Sequence, residues 1–383
     1  MIRALQSIQL PRVQPDVALM VALALIGGIG LVMVGSASVA VADRLTDDPM
    51  YFFYRQAVFA LVGLVAGFVV LHVPMRVWQA NTFTLLGIGL LLLVIVLIPG
   101  IGHAVNGARR WIDLGPFSMQ ASEPARFCLI LYVAGYAARR QNELATSWGG
   151  LFRPMFFMAL ASFLLLIEPD FGAAAVMVAV AAMILFLAGA RLTYLLVLGT
   201  LAGAAVVGLV LSSPYRLARL LSFSDPWAHP YASGFQLTQS LIAIGRGEIA
   251  GVGLGNSVQK LLYLPETHTD FLFAVYAEEF GLIGTVLLIG LFATVVWRGF
   301  VIARRAVLAD QLFAGFVAYG MSSWLVLQAF LNIAVNMGLL PTKGLTLPLM
   351  SYGGSSLVMM CVLCALLLRV DIETRMPEKA GAR

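Results

Sequence analysis

Ten long runs of apolar residues constrain the fold of this chain more than any other feature. A helix of roughly 20 apolar residues can cross a membrane, because it satisfies its backbone polar groups internally. The chain of 383 residues is 61% hydrophobic and only 11% charged, which is more apolar surface than a soluble core needs. We therefore predict an all-α integral membrane protein with about ten transmembrane helices. The predicted spans are 17–42, 52–72, 80–100, 121–137, 153–168, 171–189, 192–212, 271–297, 311–336 and 351–369.

Basic residues predict the orientation of these spans. If both termini are cytoplasmic, most arginines fall on the inner side, as the positive-inside rule requires. The short outer segments then carry only Arg44, Arg109, Arg110 and Lys343. The first apolar run is too long for a signal peptide, so we expect no cleaved leader.

This orientation predicts four parts of the chain. They are a cytoplasmic N-terminal segment (1–16), a single ten-helix membrane domain (17–370), a large periplasmic loop within it between helices 7 and 8 (213–270), and a cytoplasmic tail (371–383). Polar residues are concentrated on the outer side, so function should face outward.

The three cysteines favour a packing role. Cys128, Cys361 and Cys364 all fall inside apolar runs, and no histidine lies near the C-x-x-C pair. Buried free cysteine behaves as a small hydrophobic residue. We therefore expect neither a disulfide framework nor a metal site from them.

The run 264–271 concentrates charge where the large loop meets a predicted span. It reads Leu-Pro-Glu-Thr-His-Thr-Asp-Phe and contains Glu266, His268 and Asp270. Charge at a membrane boundary is costly and is commonly functional. Asp270 fits a general base, but Thr269 or Asp270 would also make a good N-cap for the following helix. The residues alone leave both interpretations open.

Two outer loops carry cations that suit an anionic ligand. Arg109 and Arg110 lie beside Trp111, and arginine binds phosphate oxygens in a bidentate manner. An interfacial anchor with the tryptophan at headgroup level is the competing interpretation. Lys343 stands in the last outer loop of a chain whose cations are almost all arginine. It fits either an anion contact or a surface charge.

A possible ion pair opens the fourth span. Glu123 and Arg126 are three residues apart and share a helix face, with Ser122 as a possible cap. They fit either a structural pair or the wall of a substrate cavity. The segment 168–172, Glu-Pro-Asp-Phe-Gly, favours a tight outer turn.

The large loop contains further candidates. Residues 236–244 have the apolar spacing of an amphipathic helix lying in the membrane interface. Five glycines between 245 and 255 predict a flexible stretch. Arg246 and Lys260 flank that stretch and could meet an anion.

Five blocks, taken in order, resemble the SEDS family of bacterial envelope proteins. They are Asn-Gly-Ala-Arg-Arg-Trp (106–111), Gln-Ala-Ser-Glu (120–123), Glu-Pro-Asp-Phe-Gly (168–172), Leu-Pro-Glu-Thr-His-Thr-Asp-Phe (264–271) and Pro-Leu-Met-Ser-Tyr-Gly-Gly-Ser-Ser (348–356). Two further segments, 255–261 and 340–346, resemble the division branch of the family more than its elongation branch. Arg126 stands where the family usually has lysine, and Ala121 where proline is commoner.

The resemblance implies a ten-helix, inverting peptidoglycan glycosyltransferase that polymerises lipid II during division. It implies that Asp270 is the general base. Arg110, Lys343 and Arg109 would stabilise the diphosphate, with Lys260 and Arg246 as further anion-binding candidates. The residues that shape the cavity or the loop would be Glu123, Arg126, Glu266, His268 and Ser351. A divalent cation, Mg²⁺ or Mn²⁺, is compatible with this chemistry, although no cluster in the sequence requires one.

The resemblance also implies partners and a location. The expected partners are a class B penicillin-binding transpeptidase (FtsI-like) and an activator complex of FtsQ-, FtsL- and FtsB-like proteins, with no nucleic acid. The expected place is the inner membrane at the septum, with the active site facing the periplasm. A lipid II flippase and a non-catalytic scaffold for the transpeptidase are the rival interpretations, because a fold does not fix a function.

Overall fold

The structure, a computed structural model, describes residues 15–105, 108–113, 115, 117–211, 223, 225–228, 230–231, 234–341 and 344–375. Most of these residues are helical. In chain order the helices are α1 (Val17–Thr46), α2 (Tyr51–His72), α3 (Met75–Ala80), α4 (Thr82–Ile95), α5 (Ser122–Arg139), α6 (Gln141–Thr146), α7 (Trp148–Ile167), α8 (Phe171–Leu187), α9 (Leu192–Leu211), α10 (Phe235–Arg246), α11 (Leu272–Leu308), α12 (Leu312–Asn336) and α13 (Gly354–Arg375), with a 3₁₀ turn at Pro226–Ala228.

Each predicted apolar span coincides with one of these helices. Among the described residues, six helices are long and apolar enough to cross a membrane, namely α1, α2, α7, α11, α12 and α13. Helices α4 and α8 and the stretch Leu192–Ala204 of α9 are apolar but shorter. The predicted class, a helical membrane protein, is confirmed, while the number of ten spans stays a prediction.

Helices α5 and α12 form the centre of the bundle. Helix α5 is buried along almost its whole length, and α12 packs against α5, α8, α11 and α13. Most residues in the apolar stretch of α12 are buried inside the protein, whereas most residues in the apolar stretches of α2 and α11 are not. A helix that is buried all round can carry polar side chains only if they find partners inside the protein.

The two ends of the described chain meet at one end of the bundle. The backbone N–H of Asp16 donates to Asp371 Oδ2 at 3.0 Å, and Arg298 Nε donates to Asp16 Oδ2 at 2.8 Å. Arg305 and Arg375 both bind Asp371. The expectation that both ends lie on the same side is therefore confirmed, and their cytoplasmic placement rests on the positive-inside rule.

A small sheet departs from the all-α expectation. Strands β1 (Gly102–Val105), β2 (Ala108–Asp113) and β3 (Ser118–Gln120) pair antiparallel in the order β1-β2-β3. Side chains alternate across a strand, so Arg110 and Ile112 share one face of β2 while Arg109 lies on the other. Ile112 is buried against Val96 and Ala121, which turns the face that carries Arg110 toward the protein.

The large loop also differs from expectation. The predicted amphipathic helix is present as α10, but Leu237 and Ala243 on its apolar face are buried, and Ala243 packs against Leu264 and Phe271. The apolar face thus covers protein rather than lying on a membrane interface. The glycine stretch is held closely as well: a Cβ at Gly251 would overlap the backbone of Glu279. Close backbone contact therefore explains this glycine, and the predicted flexibility of the stretch stays a prediction.

Helix α11 is broken at Gly281, which has φ +63° and ψ −161°. This region of backbone space is essentially restricted to glycine. The backbone carbonyls of Glu278 and Glu279 accept hydrogen bonds from the loop N–H groups of Val252 and Gly253. The break therefore lets the loop dock along the first two turns of the helix.

We expect Gly281→Ala to destabilise the protein by about 1–3 kcal/mol, because alanine would be held in a strained conformation. A Cβ there would also overlap Gly251. Gly290 lies in the same helix with open space around it, so Gly290→Ala should be neutral or slightly stabilising. Thermal unfolding in detergent measures both, and equal effects would contradict the argument.

Candidate functional site

The run 264–271 is anchored at several points. Leu264 and Phe271 are buried in a small apolar cluster, and Thr267 Oγ1 donates to the carbonyl of Ala37 in α1 at 3.0 Å. His268 packs against Phe52 in α2, with ring centroids 4.5 Å apart. These contacts fix the backbone on both sides of the acidic residues.

Glu266 and His268 have different surroundings, and their loop-shaping role stays a prediction. Glu266 is exposed, and its Oε2 accepts a hydrogen bond from Thr269 Oγ1 at 2.6 Å. His268 is buried; burial lowers its pKa, and the Glu266 carboxylate only partly opposes this shift. The lowered pKa favours the neutral imidazole near pH 7. The backbone carbonyl of His268 accepts a hydrogen bond from the N–H of Tyr352 at 2.8 Å.

Asp270 does not cap the following helix, so the N-cap alternative is wrong. Helix α11 begins at Leu272, and its N-cap residue, Phe271, makes no side-chain cap. The N–H of Ala274 donates instead to Asn336 Oδ1 at 3.2 Å. A carboxamide from another helix thus performs the capping that Thr269 or Asp270 was expected to perform.

The half-buried Asp270 carboxylate lies against the segment before α13. A Cβ placed on Gly344 would be 3.0 Å from Asp270 Oδ2, so a side chain at this position would crowd the carboxylate. Lys343, the neighbouring residue in sequence, lies outside the described residues. Its predicted role at the diphosphate stays a prediction.

Arg110 reaches the turn between α7 and α8. Its Nε donates to the carbonyl of Glu168 at 2.8 Å, and its Nη2 donates to that of Pro169 at 2.5 Å. Both partners are neutral, and no ion pair of Arg110 occurs among the described residues. Arg109 points the other way and contacts the carbonyl of Leu97 at 3.4 Å.

The same turn leads to the segment beside Asp270. Asp170 is the N-cap of α8, and its Oδ1 accepts from the N–H of Ala173. Its Oδ2 accepts from Gln120 Nε2 at 3.1 Å and Ser122 Oγ at 3.0 Å. Ser122 therefore does not cap α5, contrary to expectation.

The predicted tight turn at 168–172 is confirmed. Gly172 packs against Leu345, one residue after Gly344.

Glu168 is a buried acid with no ion pair among the described residues. Both of its carboxylate oxygens lack a hydrogen-bond partner there. Burial, with help from the Asp170 carboxylate and against Arg110, raises the pKa of Glu168 to about 8. An unfolded glutamate has a pKa of about 4.3, so the folded state holds this proton over the interval between the two pKa values.

We expect the stability of the protein to fall as the pH rises through this interval, because the unfolded chain then releases the Glu168 proton while the folded protein keeps it. Glu168→Gln should reduce the drop in melting temperature between pH 6 and pH 9. Glu143→Gln, at an exposed acid, is the control. An unchanged pH dependence in Glu168→Gln would refute this assignment.

A buried polar network lies behind the site. Arg126 Nη2 binds Glu123 Oε1 at 3.2 Å, which confirms the predicted pair. The Arg126 guanidinium also lies 4.6 Å from the Trp324 ring centroid and donates to Gln328 Oε1 at 3.0 Å. Gln328 Nε2 in turn donates to the carbonyl of Thr346 at 3.1 Å. The network therefore links α5 and α12 to the segment that faces Asp270.

Two predicted anion contacts are occupied by glutamates. Lys260 is buried, with Nζ 2.8 Å from Glu279 Oε1 and 2.9 Å from Ser36 Oγ. Arg246 Nη1 binds Glu278 Oε1 at 2.7 Å. These pairs tie the large loop to α11. The structure pairs the two cations with these glutamates and does not bring them to the segment of Asp270.

Ser351 and the cysteines take part in packing. Ser351 is buried, and its Oγ accepts from the N–H of Leu347 at 2.9 Å, which closes the turn before α13. All three cysteines are free. Within the described ranges, no group of three or more His, Cys, Asp or Glu residues could hold a metal ion.

Sequence reasoning missed the carboxamides of α12. Asn332 Nδ2 donates to the carbonyl of Asp270 at 2.9 Å, and Asn336 Nδ2 donates to the same oxygen at 3.0 Å. With Gln328 they recur every four residues in a predicted span. That spacing marks one polar helix face and could have been recognised in the sequence.

Known proteins resemble this chain over almost its full length. Residues 16–376 match the family model for the cell cycle proteins FtsW, RodA and SpoVE. A Nitrosococcus halophilus protein called probable peptidoglycan glycosyltransferase FtsW is 53% identical over 96% of this chain and 95% of its own. A Coxiella burnetii protein of the same description is 51% identical over 90% of this chain and 93% of its own.

Solved structures agree in fold. A chain from a study of how a peptidoglycan synthase complex coordinates polymerization and crosslinking has a TM-score of 0.77 and 32% identity, and the match covers 95% of this chain and 100% of that one. The Thermus thermophilus rod shape determining protein RodA has a TM-score of 0.71 and 29% identity, over 96% of this chain and 99% of its own. This chain therefore belongs to the family of cell cycle proteins that includes FtsW, RodA and SpoVE.

Proposed function

We propose that this chain is the peptidoglycan glycosyltransferase of cell division, that it polymerises lipid II, and that Asp270 is its general base. The names of the relatives at about half identity support the activity and the division role. The observation that carries the site is the placement of Asp270. The helix that follows Asp270 is capped by Asn336, and the Asp270 carboxylate faces the segment at Gly344.

In the proposed reaction, Asp270 accepts the proton of the 4-hydroxyl of the acceptor sugar. The hydroxyl oxygen forms a bond to the anomeric carbon of the donor as the bond from that carbon to undecaprenyl diphosphate breaks. One displacement inverts the α-linked donor to a β-1,4 link, so a single base suffices. A positioned base contributes typically about 10²- to 10⁴-fold to the rate.

Arg110 and Lys343 are proposed to stabilise the charge that develops on the departing diphosphate, a contribution that is commonly the largest in such chemistry. The backbone carbonyls of the turn hold Arg110 in place without neutralising it. The proposal contains no metal-bound step. Adding or chelating Mg²⁺ or Mn²⁺ in the assay measures whether a cation assists.

The proposed setting is the periplasmic face of the inner membrane at the septum. A class B penicillin-binding transpeptidase is the proposed partner, since a structural relative comes from a complex that couples polymerization to crosslinking. FtsQ-, FtsL- and FtsB-like activators belong to the same proposal.

Purified protein, with and without the transpeptidase, tests the activity in liposomes that contain lipid II. We expect glycan strands, and we expect none from Asp270→Ala. Transbilayer movement of lipid II without strands would favour a flippase. Transpeptidase binding with neither strands nor lipid movement would favour a scaffold.

A further inference from the structure

Three carboxamide side chains follow one another on the buried face of α12. Gln328, Asn332 and Asn336 are spaced four residues apart, and each is at most 2% exposed. Residues at this spacing lie one above another on a helix. Polar side chains buried in a central helix are costly unless they are satisfied, and all three make hydrogen bonds.

Asn332 connects two separate segments of the site. Its Nδ2 donates to the carbonyl of Asp270 at 2.9 Å and to the carbonyl of Leu345 at 2.6 Å. An amide nitrogen has two hydrogens, so both are used. Leu345 follows Gly344, whose Cα approaches the Asp270 carboxylate. The Asn332 side chain thus sets the separation between Asp270, the proposed base, and the segment at Gly344 and Leu345.

Asn336 also holds the backbone of Asp270. It donates to the carbonyl of Asp270 at 3.0 Å and accepts from the N–H of Ala274 at 3.2 Å. The carbonyl of Asp270 therefore receives two donors from one helix. The amides bind the backbone of Asp270 and not its carboxylate, so they place the residue without using the oxygens that would take a proton.

We propose that Asn332 is a positioning residue for Asp270, acting with Asn336 to hold the carboxylate at the Gly344 segment. The inference rests on the proposed role of Asp270 as the base. It predicts a specific kinetic consequence: loss of the two Asn332 hydrogen bonds leaves the substrate-binding groups in place but lets Asp270 and the Gly344 segment separate. A displacement of about 1 Å can cost about 10²-fold in rate.

The test compares four proteins in the complex with the transpeptidase, using lipid II as the substrate. They are wild type, Asn332→Leu, Tyr136→Phe and Asp270→Ala. Leucine has a similar size to asparagine but cannot donate. Tyr136→Phe is the matched control, because Tyr136 Oη also donates to a buried carbonyl, that of Gly150, at 2.6 Å. This bond joins α5 to α7, away from Asp270.

We expect Asn332→Leu to lower kcat about 10²-fold with an unchanged KM for lipid II. Its melting temperature should resemble that of Tyr136→Phe, which should keep the wild-type kcat. A kcat equal to that of the control overturns the inference, and so does a rise in KM that accounts for the loss of activity. If Asn332→Leu does not fold, Asn332→Ala is judged by the same criteria.

Asp270→Ala separates the two proposals. If Asp270→Ala keeps the wild-type rate, the proposed function of Asp270 fails, and the positioning inference fails with it. If Asp270→Ala is inactive while Asn332→Leu and Asn332→Ala behave like Tyr136→Phe, only the positioning inference fails.

Discussion

Asp270→Asn will lower the rate of lipid II polymerisation by about 10²- to 10⁴-fold, the usual contribution of a positioned base. Asparagine has nearly the same shape, and the hydrogen bonds from Asn332 and Asn336 go to the backbone carbonyl, which the substitution leaves unchanged. The fold should therefore survive while the proton acceptor is lost. Turnover of purified complex with labelled lipid II measures the effect.

Glu266→Gln is the matched control for this prediction. Glu266 is a second acid in the same run, it is exposed, and its side chain accepts a hydrogen bond from the hydroxyl of Thr269. We expect near-normal turnover from it. Equal losses in Glu266→Gln and Asp270→Asn would mean that the charge of the loop matters rather than one base, and normal turnover in Asp270→Asn would rule out the assignment.

Arg126→Met will destabilise the protein by about 3–5 kcal/mol, the usual cost of leaving one partner of a buried ion pair uncompensated. Arg126 and Glu123 are both buried in α5, and their side chains meet at 3.2 Å. The substitution also removes the stacking on Trp324 and the bond to Gln328. Unfolding of the purified protein in detergent, followed by temperature or denaturant, measures the loss.

The double substitution Glu123→Gln with Arg126→Met should recover much of this loss, because no buried charge is then left unpaired. Arg140→Met is the matched exposed control. Arg140 and Glu143 form a pair with the same spacing, but both side chains are about half exposed, so the cost should be at most about 1 kcal/mol. A similar cost at both pairs would show that burial does not control this interaction.

The predicted helical segments and the actual helices agree because a membrane chain has one dominant local rule. Each span must bury its backbone polar groups in its own hydrogen bonds, and an apolar run of sufficient length signals that directly. The Glu123–Arg126 pair was predictable for the same kind of reason, since residues three apart on one helix are neighbours whatever the tertiary structure does.

Two of the differences from expectation concern contacts between segments that are distant in sequence. Asp270 resembled an N-cap because the local pattern allows it, but Asn336, 66 residues away, supplies the cap. Lys260 resembled an anion contact because a lone lysine in a loop is usually exposed, yet Glu279 lies 2.8 Å from its Nζ. In each case a partner from another helix decides the role, and no local pattern reports it.

The sequence by itself therefore determined the class of fold, the ten apolar segments, the Glu123–Arg126 pair and the family, because these depend on residues close together in the chain or on motifs in a fixed order. Only the tertiary structure decided which polar residues meet. It placed the Asp270 carboxylate at Gly344, Arg110 on the turn at 168–170, and the carboxamides of α12 beneath both segments that form the site. Those contacts arise when helices pack, and a buried polar group must then pair with whatever partner the packing brings to it.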